Sequence, residues 1–249
     1  MTELIGNKKC HIYRNGGSAK GKVLPVFYWG IAKNDEEIIM AVVSYLKEQM
    51  DGIPFLLVAY EVEDWNDAFS PWEAAAVFGK EGFGGKASDT LKWLVECCMP
   101  YIESDKSVFI KGAETLLHFP TGYSLAGLFS IWAYFESGLF DGAVSCSGSL
   151  WFDGWTEYVE EYGKSNDLTG THKKEHYIYL SLGEKEEKTK NAKMASVGDN
   201  TRALYHFLSE RAEQFQCVLE WNKGGHFSEP ELRIAKGIKW ILQKVFILS

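Results

Sequence analysis

The sequence predicts an α/β protein: a mostly parallel central sheet of about seven to eight strands, with helices on both faces. Three observations lead there. Short β-rich runs alternate with longer helical patterns along the chain. Several of these runs are apolar at every position, as strands covered on both faces are. The chain has 249 residues, 46% of them hydrophobic and 24% charged, a length and composition that one globular domain with a large core can hold. Residues 1–249 are therefore read as a single domain.

The strand candidates are 10–13, 23–29, 55–60, 116–123, 143–146, 177–182 and 217–221, each four to eight residues long and bounded by Gly or polar residues. Between them, Asn34 followed by Asp35, Glu36 and Glu37 reads as a helix N-cap with an acidic first turn, and the helix runs to about Met50. Residues 90–101 form a second helix. Leu125 to Ser137 is a third, apolar on nearly every face and so buried, with Gly138 as its stop. A fourth spans Asn200 to Phe215, with Leu204, Leu208, Ala212 and Phe215 on one stripe. Ser228-Glu229-Pro230-Glu231 reads as a capping box opening a last helix, with Leu232, Ala235, Ile238, Leu242 and Val245 at helical spacing.

Charge excludes some partners. Lys and Arg total 26 against 34 Asp and Glu, a net charge of −8, which suits neither the phosphates of nucleic acid nor an anionic membrane. No run reaches the ~18 apolar residues of a spanning helix, and residues 1–9 lack an apolar signal core. Five cysteines (Cys10, Cys97, Cys98, Cys146, Cys217), two of them adjacent, do not form a disulfide framework. The expectation is a cytoplasmic protein with a small-molecule partner and an oligomeric state that the sequence does not give.

In such sheets the chemistry sits at the carboxyl ends of the strands. The strongest motif there is Gly122-Tyr123-Ser124-Leu125-Ala126-Gly127, placed between a β-run and the buried helix. This is the strand–turn–helix setting of a nucleophile elbow. Its turn is so sharp that large side chains at 122 or 126 would clash, and the strained backbone pushes Ser124 Oγ out into the pocket. Ala126 stands where Gly is usual, a small residue for a small residue. The N–H of Leu125, at the new helix's start, points toward a developing oxyanion.

A serine nucleophile needs a base and an acid, expected in the order Ser, acid, His. His226, in Lys223-Gly224-Gly225-His226-Phe227, follows the last strand on a glycine-rich loop. His206 lies within a helix, His118 on the strand before the elbow, and His11, His172 and His176 come too early. The acid belongs after the strand ending at Gly183. Glu186 is the first choice, with Glu184, Glu187 and Asp199 as competitors. A second oxyanion donor comes from Trp29, Gly30 or Ile31 after an early strand, and sequence does not choose between them; Gly30 would permit close backbone approach.

Other motifs fail. Lys80 to Ala87 resembles a phosphate loop but lacks its first Gly and its terminal Ser or Thr. No H-E-x-x-H or C-x-x-C occurs, so no metal site is expected, and serine chemistry needs no cofactor. Cys146 reads as buried rather than reactive.

On these residues the sequence resembles the esterase branch of the α/β-hydrolases that includes enterochelin-type siderophore esterases, feruloyl and acetyl-xylan esterases, and the esterase D-like S-formylglutathione hydrolases. The matching stretches are VFYWG, DWNDAFSPW, GYSLAGLFS, SCSGSLWFDGW, LSLGEKEEKTKN and NKGGHF, in order along most of the chain. The resemblance implies the α/β-hydrolase fold with little or no cap domain, and Ser124, Glu186 and His226 as the triad of a serine carboxylesterase. Trp29, Trp65, Trp72, Trp151 and Trp155 could line an acyl or alcohol pocket. Candidate loops rich in Trp rather than Arg point to a neutral ester with a small or aromatic group. A thioesterase or an acyltransferase would use the same residues, and a non-catalytic binding protein could share the fold.

Overall fold

The computed structural model describes residues 1–16, 23–77, 79–104, 112–165, 175–211, 213 and 215–247. Its main sheet has eight strands: β1 (Thr2–Ile5), β2 (Lys8–Asn15), β3 (Val23–Ala32), β4 (Phe55–Val62), β7 (Thr115–Tyr123), β8 (Gly142–Cys146), β9 (His176–Gly183) and β10 (Phe215–Asn222). A small separate hairpin pairs β5 (Glu73–Ala74) with β6 (Phe83–Gly84). The strand order is β1-β2-β4-β3-β7-β8-β9-β10. The first two pairings are antiparallel and all those from β4 to β10 are parallel. All seven strands expected from the sequence are present. The additional edge strand β1 is only four residues long and half polar, which gives it no signature of a buried strand.

The two-sided burial of the central strands follows from their all-apolar sequences. Along β3, Leu24, Val26 and Tyr28 point to one face while Phe27, Trp29 and Ile31 point to the other. On the first face lie α3 (Ala87–Trp93), a π-helical stretch at Leu94–Cys98, α4 (Met99–Ser104), α5 (Leu125–Glu136) and α8 (Val197–Ser209). On the second lie α1 (Glu36–Gln49) and α9 (Pro230–Ile247). Because the six strands from β4 to β10 run the same way, Ala32, Val62, Tyr123, Cys146, Gly183 and Asn222 end at one edge of the sheet. The loops that follow them share that edge.

Several helix boundaries differ from the sequence expectation. Asp35, not Asn34, precedes α1; Asn34 takes a left-handed φ of 64° to turn the chain. The second helix starts at Ala87 and, through the π-helical stretch, reaches Ser104 rather than Tyr101. α5 ends at Ser137 in extended conformation, one residue before Gly138. α8 begins at Val197 and stops at Ser209: Phe215 opens β10, where it pairs with His176, because ladder hydrogen bonds outweigh a continued helical stripe. Ala212 and His172 lie outside the described residues. Leu232 is only half-buried, and Ile234 and Ile241 take the buried positions of α9 instead. The capping box does not form, since Ser228 Oγ accepts from the N–H of Gly225 at 3.1 Å.

All five cysteines are free. Among the described residues, no helix is long and apolar enough to cross a membrane.

Candidate active site

Ser124 is the single residue between β7 and α5, with φ 57° and ψ −123°. A non-glycine residue pays of order 1–3 kcal/mol for such a backbone, so its surroundings must impose it. They do. A Cβ on Gly122 would lie 2.1 Å from the Ala126 carbonyl oxygen, and one on Gly127 would lie 3.0 Å from Gly148 Cα. The Ser124 N–H donates to the Cys146 carbonyl at 3.0 Å, and the Ser124 carbonyl accepts from the N–H groups of Gly127, Leu128 and Ser149 at 3.0–3.1 Å. The side chain is left half-exposed, facing the carboxyl edge of the sheet.

His226 reaches Ser124 from the loop after β10. Its Nε2 is 3.0 Å from Ser124 Oγ, and its Nδ1 is 2.7 Å from Glu186 Oε2. Three residues distant from one another in sequence thus form one hydrogen-bonded row. Glu186 starts a single 3₁₀ turn (Glu186–Lys188) after β9. Its second oxygen, Oε1, accepts from Gly183 N–H at 2.7 Å, Ser147 Oγ at 2.7 Å and Arg233 Nη1 at 2.9 Å. Burial alone would raise the Glu186 pKa. The hydrogen bonds and charge of His226, with those from Ser147 and Gly183, outweigh burial and hold it below the ordinary carboxylate range. The competitors are placed elsewhere: Glu184 is exposed, while Glu187 and Asp199 both bind Arg202 at 2.7 Å.

Two clefts meet at this row. The first, about 380 Å³, is lined on its apolar walls by Trp29, Ile31, Ile38, Trp65 and Phe227. The second, about 470 Å³, is lined by Trp65, Phe83, Leu125, Trp151, Met194 and Phe227. Ser124, His226, Trp65 and Phe227 belong to both. Among the described residues no Lys or Arg lines either cleft, and Asp35 is the one carboxylate, in the first.

No protein-family model matches the sequence, and a search of curated proteins finds no relative. Solved structures do match. The siderophore hydrolase EstB from Aspergillus nidulans superposes with a TM-score of 0.76 at 13% identity, over 98% of this chain and 94% of that one. EstA from the same organism gives 0.73 at 16% identity, covering 95% and 90%. An IroE-like serine hydrolase from Shewanella oneidensis gives 0.75 at 18% identity, covering 95% and 76%. The chain has the α/β-hydrolase fold.

Within that fold, the loop and strand-end positions explain where the remaining expected residues fall. Leu125 is the first residue of α5, so its N–H has no acceptor within the helix. β3 pairs with β7 only as far as Trp29–Thr121, but with β4 as far as Ala32. Gly30 and Ile31 therefore run past the last pairing with β7, and both line the first cleft. Packing also requires glycine at 30: a Cβ there would lie 2.4 Å from the Phe69 ring.

Trp72 is a correction. It lies outside both clefts; its Nε1 donates to the Asp153 carbonyl at 2.6 Å and its ring packs against Phe152 and Tyr158. Trp155 is likewise buried in the core, at the start of α6 (Trp155–Ser165). Trp65 is not in a loop but opens the short helix α2 (Trp65–Phe69). Cys146 is buried, and burial pushes its thiol up to about 12. In the Lys80 to Ala87 stretch, Phe83 and Gly84 pair in the small hairpin and Lys86 binds Asp67 at 2.6 Å. His11, Glu36 and Glu61 converge beside strands β2 and β4, but Lys9 Nζ sits 2.9 and 3.0 Å from the two carboxylates and takes the cation's place.

Sequence reasoning assigned no role to Ser147, Ser149, Tyr123 or Arg233. Ser147 and Ser149 had a signal, the run Ser145-Cys146-Ser147-Gly148-Ser149 after a strand. Arg233 had none: a charge beside an apolar helical stripe reads as solvent-facing.

Proposed function

We propose that the protein is a serine esterase that works through an acyl-enzyme. One observation carries this reading: the continuous row Ser124 Oγ, His226 and Glu186, at 3.0 and 2.7 Å, with Ser124 held on a strained elbow. His226 Nε2 takes the Ser124 proton as Oγ attacks the ester carbonyl. The C=O π electrons move to oxygen, and the Leu125 N–H stabilises that oxyanion together with an N–H at Gly30 or Ile31. The tetrahedral intermediate collapses, the C–O bond to the alcohol breaks, and the imidazolium protonates the departing oxygen. Water, deprotonated by His226, then attacks the acyl-enzyme carbonyl; the bond to Ser124 Oγ breaks, the imidazolium returns its proton to Oγ, and the carboxylic acid leaves. Glu186 keeps the proton-bearing Nδ1 turned toward itself and stabilises the imidazolium throughout.

The clefts bear on the substrate. Two mainly apolar clefts that meet at the nucleophile suit an ester with an apolar group on each side of its carbonyl. Two of the fold neighbours are named as siderophore hydrolases. Among the described residues neither lining holds a Lys or Arg, which favours a neutral ester here over an anionic one. Five free cysteines are in keeping with a cytoplasmic setting.

Hydrolysis of p-nitrophenyl esters from acetyl to octanoyl, by the native chain and by Ser124→Ala, tests the reading. Turnover lost in the variant is the expected result, and the chain-length profile sizes the acyl cleft. Failure of a fluorophosphonate probe to label Ser124 would sink it.

A further inference from the structure

Arg233 is the fourth residue of α9 and is 1% exposed. The position is a poor one for a cation. The first turn of a helix carries partial positive charge, and taking a guanidinium out of water costs several kcal/mol before its partners compensate. Helix stability therefore does not explain it, and its contacts show what does. Nη1 donates to Glu186 Oε1 at 2.9 Å, to Ser147 Oγ at 2.7 Å and to Tyr123 Oη at 3.2 Å. Nη2 donates to the carbonyls of Gly225 at 2.9 Å and Lys223 at 3.3 Å. One side of the fork holds the acid, and the other holds the loop that carries His226.

The neighbours complete the clamp. Tyr123 Oη, beside the guanidinium, donates to the His226 carbonyl at 2.5 Å. Ser147 Oγ donates to the same Glu186 oxygen that Arg233 contacts, at 2.7 Å. Glu186 Oε1 is thus committed to anchoring, and Oε2 is left for His226 alone. The packing has no slack around this point. A Cβ on Gly183 would lie 2.7 Å from the Gly224 carbonyl oxygen and 2.9 Å from Arg233 Nη2.

We infer that Arg233 is a positioning residue for the proposed hydrolysis: it sets the distance between the Glu186 carboxylate and the His226 loop, and so aims the imidazole at Ser124. This rests on the esterase reading above. A planar fork is needed, because its two terminal nitrogens must serve the acid and the loop carbonyls at once. A lysine ammonium is a point charge that can serve one side.

The test compares the native chain, Arg233→Lys and Arg233→Met by three measurements: folding by thermal melting, kcat and KM for p-nitrophenyl acetate per active site titrated, and the proton NMR signal of the His226 Nδ1–H. Expected for Arg233→Lys is a folded protein with kcat per titrated site down about 10-fold, KM within twofold, and an exchange-broadened Nδ1–H signal. Arg233→Met should lose about 100-fold, the scale of a displaced reacting group. If Arg233→Met does not fold, Arg233→Lys carries the test alone. A folded Arg233→Lys with native kcat per site and a sharp, unshifted Nδ1–H signal overturns the inference, as does a loss confined to the number of titratable sites. Should the native chain label with no fluorophosphonate and turn over no ester, the esterase reading fails instead, and the NMR signal still reports whether Arg233 fixes His226.

Discussion

The elbow that carries Ser124 is held by main-chain crowding, whereas the loop that carries His226 is held by side chains in addition to main-chain bonds. At the elbow, Gly122, Ala126 and Gly127 bring main chain against main chain, and Ser124 has no alternative to φ 57°. In the His226 loop, Gly224 has φ 90°, and a Cβ on Gly225 would meet nothing within 4 Å. That loop is held by main-chain bonds, from Lys185 N–H to the Gly224 carbonyl at 3.0 Å and from Ser228 N–H to the Gly225 carbonyl at 3.2 Å, and by Arg233, Tyr123 and Ser228 side chains, which bind its carbonyls and the N–H of Gly225. The difference teaches that one end of the proposed proton path is set by sterics, which tolerate no added atom. The other is set largely by a polar network, in which single substitutions at its side chains give graded losses.

The largest effects should come from removing the ends of the path. Ser124→Ala and His226→Ala should each lower kcat by about 10⁵- to 10⁶-fold, and the double variant should be little worse than either, because the two act as a unit. Additive losses in ester hydrolysis would contradict that unit. Glu186→Gln should cost about 10⁴-fold, the scale for losing the imidazole's orienting acid. Glu184→Gln and Glu187→Gln should stay within about twofold. Equal loss at Glu187 would move the acid away from Glu186.

The steric end should show itself in stability. Gly122→Ala forces a methyl into the Ala126 carbonyl and should cost about 3 kcal/mol, seen as a melting point lowered by roughly 6 to 12 °C. A variant that melts like the native chain would mean that the elbow is looser than its geometry implies. Gly225→Ala, with open space around it, should change the melting point by less than about 2 °C.

The smallest effect concerns pH. The folded Glu186 carboxylate titrates below its unfolded counterpart, so its ionised form stabilises the fold. That contribution is fully present above the ordinary carboxylate range. It is lost as pH falls through that range and then through the lower folded value. Denaturant melts between neutral pH and pH 3 should therefore show a shallower acid-side loss for Glu186→Gln than for the native chain. Parallel curves would show that Glu186 keeps its unfolded affinity for protons.

Much of the hydrogen-bonded row Ser124–His226–Glu186 is legible in the sequence, for identifiable reasons. Gly122-x-Ser124-x-Ala126 is local: strand, turn and helix lie within one stretch, so the strain that exposes Ser124 is written into adjacent residues. His226 was legible through its position after the last strand. Glu186 could only be ranked against Glu184 and Glu187, since three carboxylates in four residues differ in direction, not in chemistry. Trp72 was misplaced because a tryptophan after a strand packs as readily against Phe152 as it lines a cleft.

By itself, then, the sequence determined the alternation of strands and helices, the parallel sheet and the elbow. Each depends on residues close together in the chain, through apolar periodicity or backbone crowding. Only the tertiary structure decided which carboxylate meets His226, that two clefts share Ser124, and that Arg233 is buried between acid and loop. These are contacts across 40 to 110 positions of sequence. A buried charge is specified only by the partners that long-range folding brings to it.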